Sequence, residues 1–208
     1  MRRCSHAGVV VVAVATVAIA IILIAVTLFV SPAVALARDV EFSLAGGATQ
    51  LYIDEDGDDD VLNDQWGPWI RPSFSFAPSE NTPQLRLGGG VEFSWISGTV
   101  DDEFITGELD LFLITPELLL SWRQPIGDAA RWYVEPGVGV GPAIGALWFV
   151  GTEWGYGYSV RPFLRGGYQA DHWSAGIEAS YRFGRLNFDD GDSDIENLEL
   201  GLFVAWRM

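Results

Sequence analysis

The sequence predicts an all-β protein: an eight-stranded antiparallel up-and-down transmembrane β-barrel after an N-terminal signal peptide. Three observations predict it. The chain opens with an export-type segment, the remainder alternates apolar and polar residues with period two, and Trp, Tyr, Arg and Glu fall on faces that invert the pattern of a soluble sheet. Composition narrows the class first. Of 208 residues, 12 are basic and 28 acidic, giving a net charge of −16, and every basic residue is Arg. That balance excludes a nucleic-acid binder, whose phosphate contacts need a basic face. With 49% hydrophobic and 13% aromatic residues, the chain is also too apolar for disorder.

The first element is the signal segment, residues 1–37. Arg2 and Arg3 precede an uncharged run from Gly8 to Val30, broken by Ser31-Pro32 before Ala35-Leu36-Ala37. Basic start, apolar middle and small-x-small cleavage pattern are the order of a secretory signal. The 23-residue run is long enough to span a bilayer as a helix, but Pro32 and the Ala-x-Ala pattern favour cleavage after Ala37. Cleavage leaves residues 38–208 as the barrel domain, with 10 basic and 28 acidic groups. Cys4, the only cysteine, departs with the signal. The mature chain thus suits an oxidising compartment but has no disulfides to hold it.

The strands follow in order. Val40, Phe42 and Leu44 begin the first. Ile70, Pro72, Phe74 and Phe76 alternate with Arg71, Ser73 and Ser75 in the second. In the third, Leu85, Leu87, Gly89, Val91, Phe93 and Trp95 interleave with Arg86, Gly88, Gly90, Glu92 and Ser94. The fourth runs near Phe104–Arg123. Here Leu109, Leu111 and Leu113 hold one phase and Leu118, Leu120 and Trp122 the other, which predicts a bulge near Thr115-Pro116. The fifth carries Trp132 to Val140 against Tyr133, Glu135, Gly137 and Gly139. The sixth sets Tyr158, Val160, Pro162 and Leu164 against Ser159, Arg161, Phe163 and Arg165. The seventh sets Trp173 to Phe183 against Glu178 and Arg182, and the eighth Leu198 to Trp206 against Glu199 and Arg207.

Connections alternate in character. Long ones are expected at Asp54–Asp64, Ser97–Glu103, around Gly151–Gly157 and at Gly184–Asn197. Short turns are expected at Ala77–Pro83, Gln124–Ala130 and Gln169–His172. The long set holds sixteen acids and the short set three, so one rim is strongly negative. Alternation alone does not say which face is inside. The membrane version is favoured by the signal, by Trp69, Trp95, Trp122, Trp132, Trp173 and Trp206 near strand ends on the apolar face, and by a polar face of Arg86, Glu92, Glu135, Arg161, Arg165, Glu178, Arg182 and Glu199. Charges of both signs fill a narrow bore by pairing, because a buried unpaired charge is expensive.

On these features the chain resembles the small eight-stranded outer-membrane β-barrels, the OmpA/OmpX-like group, over roughly Val40 to Met208. The resemblance implies an outer-membrane location and a porin-like fold with its interior closed by side chains. It also implies a final strand read by the barrel-assembly machinery, with Leu200, Leu202, Val204 and Trp206 in that role. Arg207 and Met208 follow the aromatic and depart from the family's usual ending.

Site candidates are few. Asp56, Asp58, Asp60 and Asp190, Asp192, Asp194 have the opening spacing of a calcium loop but lack its glycine and closing Glu, so calcium or magnesium there is a weak expectation beside a solvated loop tip. No other cofactor is expected. The acidic rim suits divalent cations bridging to lipopolysaccharide and outer-membrane lipid. The expected role is structural or surface-interacting and non-enzymatic. The alternatives are a lipid-modifying enzyme or narrow-channel transporter on the same barrel, or an exported soluble β-barrel binding an apolar ligand. Lipid-A deacylase barrels carry His-x-Ser-Asn in a strand. Here His172-Trp173-Ser174-Ala175 lacks the Asn, and Asp171-His172 is expected in a turn.

Overall fold

The computed structural model describes residues 39–54, 65–101, 106–127, 131–148, 151–188 and 191–208. The signal segment 1–37 lies outside these residues, as do Asp56, Asp58, Asp60 and Asp190. Eight long strands form: β1 Val40–Asp54, β2 Gln65–Phe76, β3 Leu85–Asp101, β4 Thr106–Trp122, β6 Trp132–Trp148, β7 Thr152–Gln169, β8 Trp173–Phe188 and β9 Gly191–Arg207. A three-residue strand, β5 Gln124–Ile126, extends β4 past a break at Arg123 and pairs with β6. The expected Gln124–Ala130 turn is therefore part strand, and Gly127 turns the chain with a φ of 77° that only glycine adopts freely.

Each long strand pairs antiparallel with its sequence neighbours, β1 pairs with β9, and β4 with β6, so the ring closes without an edge. The register fixes the geometry. A circuit from Phe42 passes Phe74, Gly89, Leu118, Val140, Val160, Phe183 and Glu196 and returns to β1 at Tyr52, ten residues further along. Such a shear over eight strands tilts them by roughly 35–45° to the axis. Side chains at one height accordingly step back by about 1.25 residues per strand from the register line.

Period-two alternation then sorts the chain. Outward positions carry Leu44, Ile70, Leu87, Leu118, Leu120, Val140, Leu164, Ile177, Leu200 and Leu202, all exposed, with Leu118 at 73% and Leu202 at 68%. Inward positions carry Arg71, Arg86, Glu92, Glu135, Arg161, Arg165, Glu178, Arg182 and Glu199, all buried at 4% exposure or less. That is a soluble protein turned inside out, the arrangement that lipid requires.

Five expectations are corrected. No bulge forms at Thr115-Pro116: the β3–β4 register runs unbroken from Leu85↔Trp122 to Asp101↔Thr106. The leucines change phase because the bore itself changes chemistry, Leu111 and Leu113 facing in and Leu118 and Leu120 out. Three expected long connections are largely strand, since β3 runs on to Asp101, β7 starts at Thr152, and β8 and β9 are separated only by residues 189–190. The glycines and acids there line a β-ribbon rather than a loop. Strands of 12–18 residues consequently replace the ~10 needed to cross a bilayer, and the surplus projects at the end where β1 leads into β2, here called the upper end. Finally, Trp69 is not on the outer face. It points inward at 3% exposure, and its Nε1 donates to Ala48 O at 3.1 Å.

Candidate functional site

Two regions concentrate chemistry: the bore and the outer surface near its upper end. At mid-height, Arg71, Arg161 and Arg182 face Glu92, Glu117, Glu178 and Glu199. Arg161 reaches Glu117 at 2.7 Å and Glu178 at 3.0 Å. Arg71 reaches Glu92 at 2.8 Å and also bonds Glu178. Arg182 lies 3.0 Å from Glu117 and Glu199, and its Nη2 makes a 2.7 Å charge contact with Glu92 rather than an aligned hydrogen bond. Arg165 bonds Glu178 at 2.5 Å, and Glu135 lies between Arg165 at 4.0 Å and Arg123 at 2.6 Å. Arg123 then grips Glu41 through two 2.7 Å hydrogen bonds. Sequence alternation found most of these groups, but it left Arg71 unweighted as a network member and missed Glu41, Glu117 and Arg123. Glu117 was hidden by the phase change in β4, and Arg123 by its place at the strand break.

Two ladders lapse at the height of the ion pairs. Pairing between β2 and β3 lapses from Ile70 to Ser73, at Pro72, and between β7 and β8 from Val160 to Phe163, at Pro162. Proline has no N–H to give a ladder. Arg71–Glu92 crosses the first seam and Arg161–Glu178 the second, so a charge-assisted bond ties the two strands where each ladder lapses.

Above this layer the bore becomes apolar. Leu51, Ile96, Leu111, Leu113, Ala143, Leu186 and Ile195 pack as one buried cluster. Between the two layers, Thr49 Oγ1 and both polar atoms of the Asn197 side chain are buried without a hydrogen-bond partner. Tyr133 and Phe203, lower in the bore, form one buried cluster with Ala45 and Trp69; Trp69 stands two residues above Arg71 on β2, and Arg71 stacks over its ring at 4.8 Å.

Outside, aromatics ring both ends of the apolar belt. Trp122, Trp132, Trp173 and Trp206 mark the lower end, and Trp66, Trp95, Tyr156 and Tyr158 the upper. Trp95 keeps a polar contact there, its Nε1 donating to Asp110 at 3.2 Å. On β7, ten residues separate Tyr158 from Tyr168, which packs on Trp132 of the lower ring; that is about 33 Å along the strand and, at the tilt of the barrel, about 25 Å along its axis, the band expected of a membrane barrel.

The acidic candidates separate. Asp192 and Asp194 face outward on β9, where Arg185 meets Asp194 at 2.6 Å and Asp192 at 4.0 Å. The guanidinium holds the Asp194 carboxyl below the usual Asp range. Among the described residues, no cluster of three or more Asp, Glu, His or Cys side chains is placed to hold a metal ion. His172 is exposed in the β7–β8 turn, while Ser174 points inward, buried, beside the Tyr133 hydroxyl at 3.4 Å. The two side chains therefore serve different surfaces.

Comparison with solved structures places the fold. Neisserial surface protein A is similar at 13% identity, covering 80% of this chain and 97% of that one, with a TM-score of 0.50. Ail, the attachment invasion locus protein of Yersinia pestis, matches at 15% identity, 81% and 98% coverage and a TM-score of 0.47. The outer membrane protease OmpT of Escherichia coli matches at 8% identity, 83% and 97% coverage and a TM-score of 0.47. No family model matches the sequence, and no curated protein matches it. The chain has the closed eight-stranded fold of the small outer-membrane barrels.

Proposed function

We propose that the chain is an integral protein of a bacterial outer membrane with a structural or surface-interaction role, its bore closed by side chains and its acidic upper rim turned outward. The observation that carries this reading is the inverted surface: Leu118 and Leu202 are exposed while Arg71, Arg161 and Glu199 are at 0% exposure. Water would penalise the first set, and a bilayer rewards it. Outer-membrane lipid is the first partner. The excess of acids on the upper rim suits calcium or magnesium ions shared with anionic lipopolysaccharide, since few cations face outward there to meet phosphate directly. The closing strand, with Leu200, Leu202, Val204 and Trp206 outward, suits recognition by the assembly machinery. The non-enzymatic reading draws on the placement of His172 and Ser174, whose side chains face different surfaces, so this histidine does not serve that serine as a base.

Fractionation of envelopes followed by N-terminal sequencing tests the reading. The expected result is a chain starting at Arg38, retained in the outer membrane after carbonate washing and released by detergent. Recovery in the carbonate supernatant, or in the inner membrane with Met1 intact, would overturn it. Changed lipid A on comparing wild type with His172→Ala/Ser174→Ala by mass spectrometry would overturn the non-enzymatic part.

A further inference from the structure

The outer face of β7 carries more aromatic surface than a membrane belt needs. Trp154, Tyr156 and Tyr158 occupy three consecutive outward positions and are 39, 59 and 58% exposed. An interfacial ring needs roughly one aromatic per strand at one height. Here the rings run along a strand instead, about 6.7 Å apart, over about 13 Å. With the step of about 1.25 residues per strand, Tyr158 lies level with Trp95, and Trp154 stands well above it.

Their neighbours differ from those of the lower aromatics. On one side, β6 sets Pro142, Ile144 and Ala146 opposite the three rings. On the other, β8 sets Arg185 opposite Tyr158 and Asn187 opposite Tyr156. Arg185 is fixed by Asp194 at 2.6 Å, and Asn187 is anchored by donating to Tyr156 O at 2.8 Å, so both planar groups are held beside the rings. The lower aromatics instead pack on one another, Trp132 edge-on against Tyr168 and Tyr168 against Trp173, and the guanidinium beside them, Arg131, bonds the Tyr168 hydroxyl at 2.9 Å.

Open aromatic faces bordered by fixed planar donors and acceptors match one ligand chemistry well. A pyranose has a C–H face with partial positive charge, which packs on the negative face of an aromatic ring, and a rim of hydroxyls that need amide, guanidinium or carboxylate partners. An acyl chain has no use for Asn187 and Arg185, and an anionic ligand would meet Asp192 and Asp194. We propose that the β7–β8 face at the upper end is a platform for uncharged sugar rings, stacked on Tyr156 and Tyr158 and hydrogen-bonded by Asn187 and Arg185. The proposal rests on the outer-membrane reading, under which this face stands at the level of lipid-linked glycans and is open to free polysaccharide.

The test uses the signal-cleaved protein inserted in lipid nanodiscs, with insertion confirmed by the heat-dependent gel mobility of folded barrels. The probes are neutral oligosaccharide released by mild acid from outer-membrane glycolipid, the intact glycolipid within the disc, and soluble dextran. Binding is read by Trp fluorescence and calorimetry. Tyr156→Ala/Tyr158→Ala is expected to weaken binding about tenfold or more, and Tyr156→Phe/Tyr158→Phe by less than about threefold, because the ring face rather than the hydroxyl makes the contact. Trp132→Ala at the lower end should leave affinity unchanged. Binding of glycolipid alone identifies a membrane-linked sugar, and binding of dextran a free one; both support the platform. An inserted protein that binds none of the three, or binds them equally with both tyrosines replaced by Ala, overturns it, and crosslinking of these tyrosines to a protein instead would assign the face to a protein contact. A chain that fails to insert overturns the outer-membrane reading rather than the platform.

Discussion

Arg161 shows how single residues govern this bore. It is fully buried and serves two acids at once, Glu117 and Glu178. Arg161→Leu leaves both with fewer partners in a low-dielectric interior, and the expected cost is about 3–5 kcal/mol in urea unfolding from lipid vesicles. Adding Glu117→Gln to that variant should restore part of the loss, because the stranded charge is the main penalty. An additive double variant would show that the pair is not coupled. Asn197 is the opposite case. Its side-chain amide is buried with no partner, so Asn197→Leu removes an unsatisfied group, and stability should hold within about 1 kcal/mol or rise. A loss comparable to that of Arg161→Leu would refute this account of the residue. At the rim, the hydrogen bond from Arg185 lowers the pKa of Asp194. The sign follows from the depression: the pair's contribution is present above the ordinary Asp value near ~3.9 and fades as pH falls through the lowered folded value. Nuclear magnetic resonance titration of the Asp194 carboxyl should place it below that ordinary value, and Arg185→Gln should return it. Asp194 titrating normally in the unaltered protein would dissolve the pair as a solution feature.

Strand β4 shows both what the sequence discloses about an element and what it conceals. Its existence and length are legible in alternating leucines. The phase change at Thr115-Pro116 reads as a bulge because alternation assumes that each face keeps one chemistry from end to end. The bore breaks that assumption, with Leu111 and Leu113 inside near the top and Thr115, Glu117 and Ser121 inside below them. The same assumption turned Gly- and Asp-rich strand extensions into loops, since turn residues and ribbon residues share a composition. Where one chemistry does persist, as in Trp173 to Phe183 against Glu178 and Arg182, the faces are legible without coordinates. Most of the Arg and Glu in the bore could be listed in advance, but which Arg meets which Glu is set by the shear, a property of the closed ring rather than of any strand. The two sides of β4 give a direct check. Leu118→Arg, on the lipid side near mid-height, should cost about 2–4 kcal/mol in bilayers, and Leu111→Ala, inside, about 2–5 kcal/mol through a cavity. If Leu118→Arg were neutral in vesicles, the outer face of β4 would not be meeting lipid.

At the scale of the molecule, charge is divided by location. The buried charges in the bore comprise six Arg, at 71, 86, 123, 161, 165 and 182, and six Glu, at 41, 92, 117, 135, 178 and 199. They cancel, so the net charge of −18 that residues 38–208 carry comes from residues other than these twelve. A balanced, paired bore is also a poor path for ions. A mobile cation would have to displace Arg71, Arg161 or Arg182 from their acids, and then pass the apolar cluster of Leu51, Ile96, Leu111 and Leu186, which holds no group to replace its hydration shell. These barriers lie in series, so removing one leaves the other. The purified barrel in planar bilayers is therefore expected to be silent, and Leu111→Ser/Leu186→Ser, which wets the upper layer alone, should remain so. Steady unit conductance from the unaltered protein would mean that the bore is a channel. Conductance from the serine variant alone would mean that the ionic layer is permeable and the apolar cluster is the only seal.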